Sequence, residues 1–459
     1  MFKGSLGFGV VLLLQTLGVM LVLSLDWRTA AAQESGQTFT LSQGINHALS
    51  NSREFQVAQK DVELASEKVK EARAALLPQL KLNGGYTFNG DLPTIVLDGN
   101  LPPGFGGPRS DSTNAEALEI EIGAQHTFQG QAQVTYPLFT WGQLGNLYRQ
   151  AVLGKQAAER ALEAVHLDIE LGVREAFHGV LLAQAFVEVT EQSLTQVERR
   201  YALAQEQKST GVTTRLEVIR ANVQVVNTRS QLIQAQNRRK LAEERFKLSL
   251  GLPLDRPIAI EGTLHVEHKS VDIEQAIATA LARRPELQLI DLQEQIGEKR
   301  VKVAKASNKP MLSTFGNYSF NDSERQSFDT SWNVGLAIQI PIFDGFATRA
   351  QVNQAHLSLD QIRVNKDQLL DGIKLEVKSA VFDLEAAQKL IEAQEGIVEQ
   401  ATEGLRIANV QHETGLITGV ELTDVELSHK QAQVNRLQAI YDYTIAVARL
   451  ERAIGVRLE

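Results

Sequence analysis

From Ile373 to Ala408 the chain sets Ile373, Val377, Ala380, Leu384, Ala387, Ile391, Gln394, Val398, Ala401, Leu405 and Ala408 at alternating steps of four and three. A straight α-helix drifts by about 20° per heptad against that spacing, so a period of 3.5 held for five heptads calls for supercoiled helices. The same ladder stands 204 residues earlier as Ile169, Val173, Ala176, Val180, Ala183, Val187, Thr190, Leu194, Val197, Tyr201 and Ala204. No proline interrupts the stretches from about Gly142 to Gln207 and from about Phe346 to His412. At about 1.5 Å per residue each predicts a helix roughly 100 Å long, more than one globular core can cover. Long coiled-coil packing is therefore the first constraint on the fold.

The ladders belong to a larger duplication. "LSQGINHALSNSREFQ" from Leu41 aligns with "IEQAIATALARRPELQ" from Ile273, and "PQLKLNGGYTF" from Pro78 with "PMLSTFGNYSF" from Pro310, both at an offset of 232. The offset then falls to 204, where "YPLF" at Tyr136 meets "IPIF" at Ile340 and "LGL" at Leu250 meets "IGV" at Ile454. One length change of 28 residues reconciles the copies. The expected organisation is a leader over 1–32, a first repeat over 33–252, a linker over 253–272 and a second repeat over 273–459. Each repeat predicts a short amphipathic helix, strand, loop, strand, long helix, turn and returning helix. Strands are placed at about 79–90 and 129–140, then 311–321 and 331–343; long helices at about 142–208 and 346–412; turns at 209–216 and 413–420.

The strands are what a helical spacer does not need. "QAQVTYPLF" alternates Ala132, Val134, Tyr136 and Leu138 against Gln131, Gln133 and Thr135, and "WNVGLAIQIPIF" and "LKLNGGYTF" do the same. "LSTFGNYSF" is weaker, because Phe315 breaks its alternation. Such two-faced runs match the nine to eleven residues of a tilted transmembrane strand. Tyr86, Phe88, Tyr318, Phe320 and Trp332 stand where an interfacial aromatic girdle belongs. Four strands do not close a barrel, and lipid does not tolerate open sheet edges, so membrane-spanning strands require several chains. Three copies give twelve strands. The segments "LPPGFGGPRSDSTN" and "NDSERQSFDTS" read as solvated outer loops.

Composition narrows the function. The net charge of -9 gives no basic surplus for nucleic acid, and the absence of cysteine removes disulfides, thiolate metal sites, thiol nucleophiles and lipid acylation at an N-terminal cysteine. Lys3, an apolar run from Leu6 to Leu25 and an A-x-A site ending at Ala32 read as an export signal, with an uncleaved anchor helix as the alternative. "HVEH", His265 to His268, has poor spacing for a metal site, and no nucleotide-binding or metalloprotease motif is present. No cofactor and no enzymatic chemistry are expected.

The duplicated plan, "YPLFTWG" and "IPIFDGF" leading into the long helices, and the paired Thr-Gly turns resemble the TolC-type outer-membrane efflux and secretion channels over essentially the whole mature chain. The resemblance implies a mostly α fold with transmembrane β: a homotrimer whose twelve-stranded β-barrel, in outer-membrane lipid, continues as a twelve-helix coiled-coil α-barrel into the periplasm. It also implies docking on a periplasmic adaptor (membrane fusion) protein and an inner-membrane pump or ABC transporter. Such a protein is an exit duct for tripartite efflux or type I secretion. The other reading is a soluble periplasmic coiled-coil scaffold without a pore.

In this family the turns between long and returning helices form the periplasmic tip. Gly211, Val212, Thr213 and Thr214, and Gly415, Leu416, Ile417 and Thr418, are then candidate adaptor contacts. Gly211 and Gly415 suit left-handed helix ends, and Thr214 and Thr418 suit caps of the returning helices; plain helix punctuation explains them equally. Glu421 and Asp424, three apart, share a helix face and would stack as two carboxylate rings in a trimer, raising one another's proton affinity. A solvated helix face is the alternative. Glu217 matches Glu421, while Arg220 replaces Asp424 and is expected to pair with an acid of a neighbouring hairpin. The family's basic gate residue in the second turn corresponds here to Ile417, so that lock is not carried over.

Overall fold

A computed structural model describes residues 37–97, 118–266, 269–323 and 326–458. The expected leader, most of the glycine- and proline-rich loop, and His268 of "HVEH" lie outside the described residues. In chain order the elements are β1 (Gln37–Phe39), α1 (Leu41–Asn51), α2 (Arg53–Ala74), β2 (Gln79–Phe88), β3 (Thr94–Leu97), β4 (Leu118–Glu121), β5 (His126–Phe139), α3 (Gln143–Ser209), α4 (Arg215–Leu250) and β6 (Ile258–Ile260). They continue with α5 (Ile273–Arg283), α6 (Pro285–Ala306), β7 (Met311–Ser323), β8 (Gln326–Gln339), α7 (Ala347–Glu413) and α8 (Gly419–Ile454).

The duplication holds helix by helix. Both long helices have 67 residues and both returning helices 36, so the 204-residue offset applies at all four boundaries. Each expected short helix is in fact two, of 11 and 22 residues, parted at Ser52 and Arg284 by one residue of extended ψ. Pro285 then opens α6, a position where its missing N–H leaves no bond unmade.

The described residues form two compact units, those within 37–60, 161–287 and 369–458 making one, and those within 61–160 and 288–368 the other. The first unit holds the heptad seams. Ile373, Val377, Leu384 and Ile391 of α7 and Val173, Val180, Val187 and Val197 of α3 are buried. Phe39, Ile45, Phe177, Phe246 and Leu250 close a core where the parallel pair β1–β6, α1, α3 and α4 meet. Ion pairs tie the first copy to the second: Arg174 binds Glu451, and Arg449 reaches Glu175 at 2.9 Å. Arg284, almost fully buried, grips Glu376 through two bonds of 2.7 and 2.8 Å. Two sets of apolar side chains remain uncovered: Leu216, Ile219, Val223, Val226 and Ile233 at heptad spacing on α4, and Leu375, Phe382, Leu390 and Ile397, seven or eight apart, on α7.

The second unit carries a four-stranded antiparallel sheet in the order β2-β5-β7-β8, so β2 and β8 are its edges. Its even-numbered face bears Leu80, Leu82, Tyr86, Phe88, Phe128, Val134, Tyr318, Trp332, Val334, Leu336 and Ile338, all exposed. Its odd-numbered face carries Gln129, Gln131, Gln133, Asn317, Ser319 and Asn333; Asn317 donates to Asn333 at 3.0 Å, and the Ser319 and Ser331 hydroxyls meet at 2.7 Å. The expected loop "NDSERQSFDTS" is a correction: β7 runs to Ser323 and β8 begins at Gln326. Polar side chains on one face of a ladder do not interrupt its backbone bonds, so polarity was a poor guide to the strand end. At its other end β8 stops at Gln339 rather than near 343, before Pro341, which has no N–H for a ladder. The 28-residue insertion builds an unforeseen second hairpin, β3–β4.

At each strand-to-helix elbow two consecutive residues are left-handed: Trp141 and Gly142 with φ of 51° and 77°, then Gly345 and Phe346 with 63° and 67°. The copies share the backbone shape while swapping which residue is glycine. The strained aromatics are exposed, and each meets a second ring edge-on: Trp141 with Phe139 at 5.2 Å, Phe346 with Phe343 at 5.6 Å. Aromatic clusters thus flank the sheet's apolar face, with Tyr86, Phe88, Phe128 and His126 gathered at the other end.

Candidate functional site at the paired helical turns

Each long helix ends in the same hydrogen-bonded turn. After α3, Val212 N–H donates to Gln207 at 2.8 Å and Gly211 N–H to Lys208 at 3.1 Å; after α7, Leu416 donates to Gln411 at 2.8 Å and Gly415 to His412 at 3.1 Å. This six-to-one and five-to-two pattern needs a left-handed residue, met by Gly211 at φ 78° and Gly415 at φ 77°. The returning helices are capped by Thr214 and Thr418, whose hydroxyls accept from the N–H groups of Glu217 and Glu421, each at 3.3 Å. Fixing both ends of a five-residue turn pushes Val212 and Leu416 outward; each is 75% exposed.

The turns' neighbours converge on a cleft of about 570 Å³ between the two copies. Thr213, Glu217 and Arg220 line it from the first copy, and His412, Thr418 and Asp424 from the second. Gly211, Val212, Thr214, Gly415, Leu416, Ile417 and Glu421 are not part of this lining. Arg220, half exposed, donates to Glu217 of its own helix at 2.8 Å. Glu421 accepts from the Thr418 N–H at 2.7 Å and its hydroxyl at 2.9 Å, completing a capping box. Those bonds hold its carboxyl below the usual glutamate range within one chain. Any rise in its proton affinity would have to come from other copies.

Arg200, on α3, is the residue sequence reasoning missed. Its guanidinium binds the Glu426 carboxylate, the Thr423 hydroxyl at 2.6 Å and the Gly419 carbonyl at 3.0 Å. One side chain of the first copy thus fastens the first two turns of the second copy's returning helix. Arg200 and Glu426 are 20% and 11% exposed. Burial lifts the Glu426 carboxyl above its ordinary value, although Arg200 pulls the other way. A signal was available: at the 204-residue offset Arg200 faces Gly404, and Glu426 faces Asn222, so the clamp is an asymmetry between near-identical copies.

Among the described residues no group of three or more histidine, aspartate or glutamate side chains is placed to hold a metal ion. The arrangement is one of helix caps, exposed apolar side chains and ion pairs that fasten one helix to another.

The outer membrane efflux protein family model matches residues 44–252 and 276–456. The chain belongs to that family. Its members are channels rather than enzymes. The match divides where the linker divides the repeats. The chain is 24% identical over 421 residues to the probable outer membrane lipoprotein SilC of Salmonella typhimurium, covering 90% of this chain and 85% of SilC. It is 24% identical over 438 residues to the cation efflux system protein CusC of Escherichia coli K12, covering 94% and 88%. It is 23% identical over 438 residues to the alkaline protease secretion protein AprF of Pseudomonas aeruginosa, covering 92% and 86%. A crystal structure of CusC superimposes with a TM-score of 0.74 over 91% of this chain and 92% of its own, at 21% identity, which establishes the TolC-like fold.

Proposed function

We propose that three copies of the chain form a passive exit duct through the outer membrane, with a twelve-stranded barrel in lipid and a helical tunnel in the periplasm. One observation carries this reading: an apolar-faced four-stranded sheet whose edges, β2 and β8, have no further strand to pair with among the described residues. Lipid supplies no hydrogen bonds, so those edges are closed by strands from other copies. The uncovered apolar side chains along α4 and α7 support the same conclusion. A face on one helix that fits a face on another makes a head-to-tail contact, which closes into a ring. The exposed stripes and the outward apolar face of the sheet disfavour a soluble scaffold.

The periplasmic end is the pair of turns. Val212 and Leu416 are the apolar knobs for a periplasmic adaptor, and Glu421 and Asp424 form carboxylate rings around the entrance, with Glu217 beside them. Arg220 keeps donors free for an acid of a neighbouring hairpin. Energy comes from the inner-membrane partner, a pump in efflux or an ABC transporter in secretion; cargo is chosen there, as relatives named for cation efflux and for protease secretion suggest. Reconstitution into planar bilayers tests the duct. Discrete conductance steps from detergent-extracted, heat-resistant oligomer are expected. Protein that leaves the membrane with salt alone and passes no current overturns the reading.

A further inference from the structure

On the reading that the odd-numbered face of the sheet lines the duct, that wall is nearly all amide and hydroxyl. Among its described residues Lys81 and Asp329 are the only charged side chains, and Phe315 is the only aromatic, because the bulge after Pro137 pairs Phe139 with Leu312 and turns it to the other face. Phe315 lies in register between Thr135 on β5 and Gly335 on β8, next to the row of Gln133, Asn317 and Asn333. Its ring is half-buried and reaches over Gly335, where an added Cβ would come within 2.9 Å of its Cζ. The ring therefore lies on bare backbone, in a row completed by Thr135 and Gln79 with no second ring, and on that reading its outer surface faces the channel. On the opposite face Phe320 covers Gly130 in the same way, but that face also carries Phe128, Tyr318 and Trp332.

We propose that Phe315 is a contact site for planar aromatic solutes on the inner wall of the barrel. Three copies place three such rings at one level of a neutral, hydrogen-bonding wall, which retains flat organic cargo in transit and leaves small ions and aliphatic solutes unretained. A π-face stacks on a flat ring, a positive charge spread over that ring adds to the attraction, and the surrounding carboxamides supply no competing charge.

The test is block of single-channel current by ethidium, a planar aromatic cation, against hexaamminecobalt(III), a compact cation with no aromatic or alkyl surface that stays hydrated, each added on the side of the outer loops. In Phe315→Ser and Phe315→Leu the half-blocking ethidium concentration is expected to rise about three- to tenfold, while hexaamminecobalt block is unchanged. The leucine variant keeps apolar bulk over Gly335, so it carries the test if the serine variant does not assemble. Ethidium block that is unaltered in an assembled variant overturns the proposal, as does an equal change for both cations, which marks Phe315 as a space-filling residue. Wild-type protein that passes no current overturns the channel reading instead.

Discussion

Replacing Arg200 with methionine keeps most of the side chain's bulk and removes its three bonds to the start of α8. Net bonds to the Thr423 hydroxyl and Gly419 carbonyl are worth about 1 kcal/mol each. Stranding a fully buried charge costs about 3–5 kcal/mol, and Glu426, 11% exposed, keeps some water. Because these losses overlap, about 2–4 kcal/mol is expected for the hold of α3 on residues 419–426. At about 1.4 kcal/mol per decade, amide hydrogen exchange across that segment should accelerate by about 30-fold or more, and single-channel conductance should rise. The pH dependence follows from Glu426. Its carboxyl is raised in the packed state, so that state binds the proton more readily than a released helix does. Packing is therefore weakest above the raised value and strengthens as pH falls toward the ordinary glutamate range. Without Arg200 the carboxylate is still costlier to ionise, so the methionine variant's defect should shrink as pH falls from neutrality toward the ordinary glutamate range. Exchange over 419–426 that matches wild type at pH 7, in a variant that still forms trimers, would refute the clamp.

Gly211→Val or Gly415→Val should loosen its turn by about 1–2 kcal/mol, seen as faster exchange confined to that hairpin. The cost comes from the positive φ alone, since an added Cβ meets nothing within 4 Å at either position. Burial and the nearby Arg174 lower His178 to about 4, so folding excludes a proton that the unfolded chain takes up near pH 6.5. That term is absent above about pH 6.5 and destabilises progressively down to about 4; His178→Leu should flatten the fall in thermal midpoint over this window.

The long helices were legible because coiled-coil spacing is periodic and repeats at 204 residues, leaving Ile373, Val377 and Val180 buried as the ladders require. Strand faces were legible for a similar reason, a two-residue period. Strand ends were not, since Asn321 to Ser323 continue the ladder with polar side chains. The breaks at Ser52 and Arg284 consist of single extended residues, too small for any pattern to mark. At the turns, glycine and threonine announced their backbone roles, whereas Arg200 joins residues more than 200 positions away, a relation that no local spacing contains.

The central claim is that the chain cannot seal its own wall and that three copies do. Native mass spectrometry of the protein released from detergent micelles measures this directly. A species of three chain masses that persists without any added partner is predicted. A monomer as the sole species under conditions that preserve the fold would contradict the account.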